Sequence, residues 1–286
     1  MPATPAARRP TPLSIATVNV NGLRAARSNG MGEWVRSRKP DVMTMQEVRA
    51  PDDMVHGLVH EVAGRRWHVV HHECRSKGRA GVAVASKREI VAARFGLPDH
   101  AGPDGALPYD DTGRWCEADI EVSGGRVLTV ISAYVHTGDA ESPTRMAEKL
   151  AFLEAAAARL DVLRASGNLV LLTGDLNVAH REVDIKNWKG NLTRAGFLPV
   201  ERAWFDRLFD RQWVDVGRAL GGHGPGPYTW WSWRGQAFDT DAGWRIDYHI
   251  ADEALAATAS KAVVDRAPSY AERWSDHAPL VVRYAV

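Results

Sequence analysis

Six apolar runs in this chain end in, or enclose, polar and acidic residues that a buried strand does not carry without a partner. Residues 13–18 run into Asn19-Val20-Asn21-Gly22, residues 41–45 into Gln46-Glu47, and residues 126–133 into Tyr134. Residues 168–173 run into Gly174-Asp175-Leu176-Asn177. Arg245-Ile246-Asp247-Tyr248 sets a carboxylate inside an apolar stretch, and Ser275-Asp276-His277-Ala278-Pro279 stands just before the last run. Acids and amides at so many strand ends are accommodated together if the strands belong to sheets whose ends meet at one edge. There they satisfy one another, whereas singly each would carry the cost of an unpaired buried polar group.

The remaining pattern supports this. Further strands are expected at residues 67–71, 81–85, 228–231, 245–251 and 279–284, and the run at 126–133 follows Gly124-Gly125. Helices are expected at 31–38, at 200–210, and along an Ala/Leu/Arg/Glu stretch from Pro143 to residue 165. Ser142 is placed as its N-cap and Gly167 as its stop. Many strands interspersed with helices, with no long linker or repeat, predict an α/β fold: a four-layered sandwich of two packed mixed β-sheets flanked by helices. Residues 13–286 are expected to form one catalytic domain after a disordered tail, 1–12.

No apolar run approaches the roughly 18 residues a membrane helix needs, and the Pro/Ala-rich start lacks the apolar segment of a secretory signal. Two cysteines, Cys74 and Cys116, have no metal-ligand spacing. A cytoplasmic, monomeric protein is expected. The formal charge of the 286 residues is only +1, so affinity for a polyanion would need local basic clusters. The candidates are Arg24 with Arg27, residues 36–39, residues 75–79, and Lys186, Lys189 and Arg194. The donor set at the strand ends is carboxylate and amide oxygen without sulfur, which suits a hard cation such as Mg2+ or Mn2+. Phosphodiester hydrolysis needs a group to activate water and groups to stabilise charge on the phosphoryl and leaving oxygens.

At these positions the chain resembles the exonuclease III family of AP endonucleases, within the endonuclease/exonuclease/phosphatase superfamily. The resemblance is carried by residues 18–25, Gln46-Glu47, Tyr134, residues 174–177, 245–248 and 275–279, together with Gly196-Phe197-Leu198-Pro199 and Glu201-Arg202-Ala203-Trp204. It implies that Glu47 is a direct metal ligand with Asn19 and Asp276 beside it. It implies that Asp175 activates the attacking water while Asn177 positions water and phosphate; these two and His277 also count among the candidate metal-site residues. His277 would donate to the scissile phosphate, oriented by Asp247, and Tyr134 would sit against the phosphate or leaving group. Asn21, Arg24, Arg49 and Lys186 would contact DNA, with His136 and Thr137 standing where the family often has Pro and then Asn or Gln. Arg49 replaces a common Lys, which changes donor geometry.

Eleven tryptophans are present, four of them between residues 230 and 244. The resemblance places Trp230, Trp244 and Ile246 as the wall of an apolar pocket for a baseless sugar; Trp231 and Trp233 share a side if the segment is a strand, and one of them is expected in the core. The expected substrate is double-stranded DNA with abasic sites or 3′ ends, cut 5′ to the abasic site or trimmed from the 3′ end. Two other readings are a catalytically silent DNA-binding relative and a phosphatase or phosphodiesterase acting on a non-DNA ester. The complete acid, amide and histidine set speaks against the first and the aromatic wall against the second.

Overall fold

The computed structural model describes residues 11–97 and 112–286. In chain order its strands are β1 (Pro12–Asn19), β2 (Val42–Gln46), β3 (His68–His72), β4 (Val82–Ser86), β5 (Ile90–Phe95), β6 (Trp115–Glu121), β7 (Val127–Tyr134), β8 (Leu169–Asp175), β9 (Trp213–Asp215), β10 (Asp247–Asp252), β11 (Ala259–Val264) and β12 (Leu280–Ala285). The helices are α1 (Leu23–Ser28), α2 (Met31–Arg38), α3 (Asp52–Ala63), α4 (Pro143–Ala165), α5 (Pro199–Asp210), α6 (Val216–Gly221) and α7 (Glu253–Ala256).

Two six-stranded sheets result, ordered β11-β12-β1-β2-β4-β3 and β5-β6-β7-β8-β10-β9. Each is mixed: β1 and β2 are parallel in the first, β7 and β8 in the second, and the other pairings are antiparallel. Alternation along each strand divides the side chains. On β1, Leu13 and Ile15 join Val130 and Leu171 of the other sheet in the central core, while Ala16 and Val18 pack outward with α1, α2 and α3. On the far side, Ile131, Leu172 and Ile250 pack under α4 and α5 through Phe152, Leu153 and Trp204.

The layer between the sheets turns polar toward one edge. Thr44 Oγ1 meets Thr173 Oγ1 at 2.7 Å, and Gln46 Nε2 donates to Ser132 Oγ at 2.9 Å, in each case across the sandwich. Strand register lines up the acids beyond that layer: Tyr134 lies opposite Asp175, and Asp175 opposite Asp247. Gly174 just before Asp175 has φ +132°, and a Cβ there would overlap the Ala133 carbonyl oxygen. Only glycine lets β8 approach β7 so closely.

The long helix is capped as the sequence indicates, Ser142 Oγ accepting from Arg145 N at 3.5 Å. Several expectations change. β1 begins at Pro12, and just before it Thr11 N bonds the Val286 carbonyl at 3.0 Å, so Pro12 belongs to the sheet and Thr11 is tied to its end; residues 1–10 of the expected tail lie outside the described residues. Residues 228–231 form no regular strand. The amides of Thr229 and Trp230 both donate to the Trp244 carbonyl, and Trp230 makes isolated bridges with Trp244 and His277. Trp231 and Trp233 therefore need not share a side: Trp231 is in the core and Trp233 is exposed. Strand β10 starts at Asp247, leaving Arg245 and Ile246 in the approach to it.

Candidate active site

Asn19, the fully buried last residue of β1, joins the two sheets at their polar edge. Its Nδ2 donates to Glu47 Oε1 at 2.9 Å and to Asp175 Oδ2 at 2.9 Å. The Tyr134 phenol donates to the same Glu47 Oε1 at 2.7 Å, and Arg49 forms an ion pair with Glu47 Oε2. Asp276 accepts from Asn21 Nδ2 at 2.9 Å and from Trp230 Nε1 at 3.1 Å. Ser275 Oγ, which the sequence reading did not single out, ties this loop to β1 by donating to the Asn19 carbonyl at 2.6 Å. Asn21, Glu47 and Asn177 all have φ between 45° and 50°. Asn tolerates this left-handed region; Glu47 adopts it at a cost on the order of 1–2 kcal/mol. The bonds from Gly22 N to the Glu47 carbonyl (2.8 Å) and from Val48 N to the Gly81 carbonyl (3.0 Å) hold it there.

The second half of the edge is a buried chain of acid, imidazole and acid. His277 Nδ1 bonds Asp247 Oδ2 at 2.8 Å, and its Nε2 lies 3.7 Å from Asp175 Oδ2. Asp175 Oδ1 accepts from Asn177 N at 2.9 Å, and Asn177 Nδ2 reaches the Val135 carbonyl at 2.9 Å. Burial by itself would lower the His277 imidazole, but the carboxylates of Asp247 and Asp175 outweigh it and raise it to about 10. It is therefore a cation at neutral pH with its Nδ1–H directed at Asp247. Burial raises the Asp175 carboxyl to about 7, with the His277 cation opposing. Burial, followed by the charges of Glu47 and Asp175, pushes the Tyr134 phenol well up, so it is neutral and can donate.

These groups line a cavity of about 400 Å3 whose other side is apolar. Trp230 and Trp244 meet edge to face there, centroids 6.2 Å apart, beside buried Ile246. Gly196 completes the wall: a Cβ on it would lie 3.1 Å from Trp244 Cζ3. One pocket thus combines a charged floor with an aromatic side.

The chain matches the Endonuclease/Exonuclease/phosphatase family over residues 16–277. It belongs to that family. Among relatives in the Endonuclease/Exonuclease/phosphatase family, it is 32% identical to an exodeoxyribonuclease of Bacillus subtilis over 269 residues, covering 94% of this chain and 98% of that protein. The structure of an AP endonuclease from Archaeoglobus fulgidus superimposes with a TM-score of 0.81 at 29% identity, over 96% of this chain and 100% of that one. A Neisseria 3′ phosphatase bound to a product DNA hairpin superimposes with a TM-score of 0.82 at 28% identity, over 95% and 99%.

Within this Endonuclease/Exonuclease/phosphatase chain, the cavity lining includes Glu47, Tyr134, Thr137, Asp175, Asn177, Asp276, His277, Trp230, Trp244 and Ile246. Asn19, Asn21, Arg49 and Asp247 bond directly to lining residues. Arg24 and Lys186 are exposed and outside the lining. His136 is turned away from the place expected of it. Its Nε2 is buried, its ring packs edge-on to Phe152, and burial followed by Arg114 and Lys149 lowers it to about 4, leaving it neutral. Sequence reasoning missed Arg114, whose guanidinium lies 4.7 Å from the Tyr134 ring centroid, and Asn191. Arg194, read only as part of a basic cluster, lines the cavity.

Proposed function

We propose that the chain is a metal-dependent DNA repair phosphodiesterase that incises duplex DNA 5′ to abasic sites and trims 3′ ends. The observation that carries this reading is the juxtaposition, in one cavity, of the Asp247–His277–Asp175 chain with the Trp230–Trp244–Ile246 wall. In this reading a baseless sugar packs against the apolar wall, and the missing base lowers the cost of turning the nucleotide out of the stack. The family relatives that act on DNA support the same substrate class. In this reading residues 13–286 act as one catalytic domain and as a monomer. The free thiols of Cys74 and Cys116 suit the cytoplasm, and among the described residues no helix is long and apolar enough to cross a membrane.

The residues fit a hard divalent cation. Glu47 and Asp276 offer carboxylate oxygens at the cavity, Asn19 sits between Glu47 and Asp175, and a metal cation at Glu47 Oε2 would take the place that the Arg49 guanidinium holds. Among the described residues no three His, Cys, Asp or Glu form a ready cage, which suits Mg2+ or Mn2+ held through one or two carboxylates and retained water. Bound there, the ion would supply charge neutralisation at the phosphate. The roles proposed for the protein's own residues are these. Asp175 accepts a proton from water that Asn177 holds toward phosphorus, and His277 donates to a non-bridging phosphoryl oxygen. As the new P–O bond forms, the P–O3′ bond breaks, and the leaving O3′ takes a proton from solvent water. This leaves a 3′-hydroxyl on one side and a 5′-phosphate on the baseless sugar.

A duplex with a single abasic site and an end label tests the reading. Incision 5′ to the site, abolished by chelator and restored by Mg2+ or Mn2+, is expected; full cutting in excess chelator, or no cutting with either ion, overturns it. Glu47→Ala should raise the metal concentration needed for half-maximal rate by about 10–100-fold, as a metal titration would show.

The wall should set selectivity rather than chemistry. Trp244 has no group that can activate water, so Trp244→Ala should lower abasic incision about tenfold to a hundredfold, the range for an apolar group in a pocket, with metal dependence unchanged. Trimming of undamaged 3′ ends on a matched duplex should fall less. An equal fall in both would make Trp244 a packing residue only.

A further inference from the structure

Lys149 is fully buried in α4, among Phe152, Leu153 and Ala156. An ammonium enclosed there needs every proton satisfied, and its three donors serve three different segments. Nζ donates to the Thr137 carbonyl at 3.0 Å and to the Asn177 carbonyl at 2.9 Å, and pairs with Glu201 Oε1 at 2.5 Å. Glu201, equally buried, takes the Gly196 amide on both oxygens (3.0 and 2.8 Å) and the Leu198 amide at 2.9 Å. Thr137, Asn177 and Gly196 all line the cavity. The Asn177 carbonyl and the Trp244 ring both lie 3.1 Å from where a Cβ on Gly196 would stand. A single ion pair therefore holds, from behind, the loop that orients water and the loop that braces the aromatic wall.

We propose that Lys149 and Glu201 are positioning residues that fix the spacing between Asn177 and the Trp244 wall, and thereby set the preference for an abasic site over an ordinary 3′ end. This rests on the DNA-cutting function proposed above. Neither residue reaches the cavity, so neither touches substrate. The loops they hold belong to different halves of the site; without the pair they keep the Ala179 N bond to the Gly196 carbonyl (2.8 Å) and the Asn177 Nδ2 bond to the Val135 carbonyl (2.9 Å), but lose the buried charged link that ties both to α4 and α5. Both activities need Asn177, and abasic incision needs the wall as well, so loosening the spacing weakens incision more than trimming.

The test compares wild type, Lys149→Met and the double variant Lys149→Met/Glu201→Gln as full chains, with kcat and KM measured for incision and trimming on matched duplexes and thermal midpoints recorded. Misplacement of reacting groups by an ångström costs about 10²-fold, so the single variant should lose incision kcat on that scale with KM close to wild type and a smaller loss in trimming. The single variant leaves a buried carboxylate without its partner and should melt earlier. Removing both charges relieves that penalty, so the double variant should recover thermal stability without recovering incision. Activity that returns together with the thermal midpoint, or equal losses in both activities, overturns the proposal. If wild type cuts neither duplex, the functional reading itself has failed. Amide exchange then tests the pair alone: the Gly196 and Leu198 amides should exchange at least about tenfold faster in Lys149→Met at a temperature where it remains folded, and unchanged exchange overturns the positioning role.

Discussion

Asp175→Asn should bind abasic duplex as wild type does and cut it about 10² to 10⁴ times more slowly, the usual worth of a positioned proton transfer. The substitution preserves shape. Asn keeps one oxygen able to accept from Asn177 N or from Asn19, the two shorter bonds that now fix the side chain. It removes the one carboxylate that, among the described residues, contacts both Asn177 and His277. Single-turnover cleavage beside fluorescence anisotropy on the same duplex separates the effects. A variant that cuts at nearly the wild-type rate would take Asp175 out of the water-activating role, and one that loses binding in proportion to cutting would make it structural.

Asp247→Asn is expected to act through its neighbour and to show itself chiefly in the pH profile. His277 is held protonated up to about 10 by the carboxylates of Asp247 and Asp175 against the effect of burial. Because the charged form is the donor, wild-type activity should persist on the alkaline side and fall only as pH rises through that value. Taking away the Asp247 anion, 2.8 Å from Nδ1, lets burial dominate, and a lost charge partner at this range moves an imidazole down by about 1–3 pH units. The alkaline limb should shift down by that amount. Near the wild-type midpoint the variant should be about 10- to 10³-fold slower on the same basis, and it should recover toward wild type in acid. A profile that drops evenly at every pH would mean that Asp247 positions His277 without charging it.

Much of this site can be read from the chain because its members sit at strand ends, where hydrophobic period and local polarity change together. Asn19, Tyr134 and Asp175 each close a strand, as their sequence contexts suggest. Asp247, an acid flanked by apolar residues, has the partner that such an acid requires. What is not legible depends on pairings between distant residues. Lys149 reads as one of many charges on an Ala-rich helix, and Glu201 as an ordinary first-turn acid; only folding brings them together. Strand β6 is obscured by Glu117 and Asp119, whose burial makes sense once Arg94 bonds both and Arg159 bonds Glu117. Helix α3 is interrupted in sequence by Gly57 and two histidines, yet buries Val55, Leu58, Val59 and Val62 on one face. His136 shows the converse: its place beside Tyr134 in sequence suggests a phosphate contact, but packing against Phe152 decides its direction.

Glu47 and Asp175 belong to different sheets, so their alignment is a property of how two slabs are laid on each other. Hydrophobic contact is non-directional and would allow such slabs to settle at several small offsets. The Thr44–Thr173 and Gln46–Ser132 bonds are directional and act as locating pins between them. Catalytic tolerance is thereby written into interior hydroxyls and an amide that never meet solvent or substrate. Selection for cutting activity would guard these buried positions as closely as the acids of the cavity, and a change there would leave a stable protein whose two halves no longer meet at the phosphate.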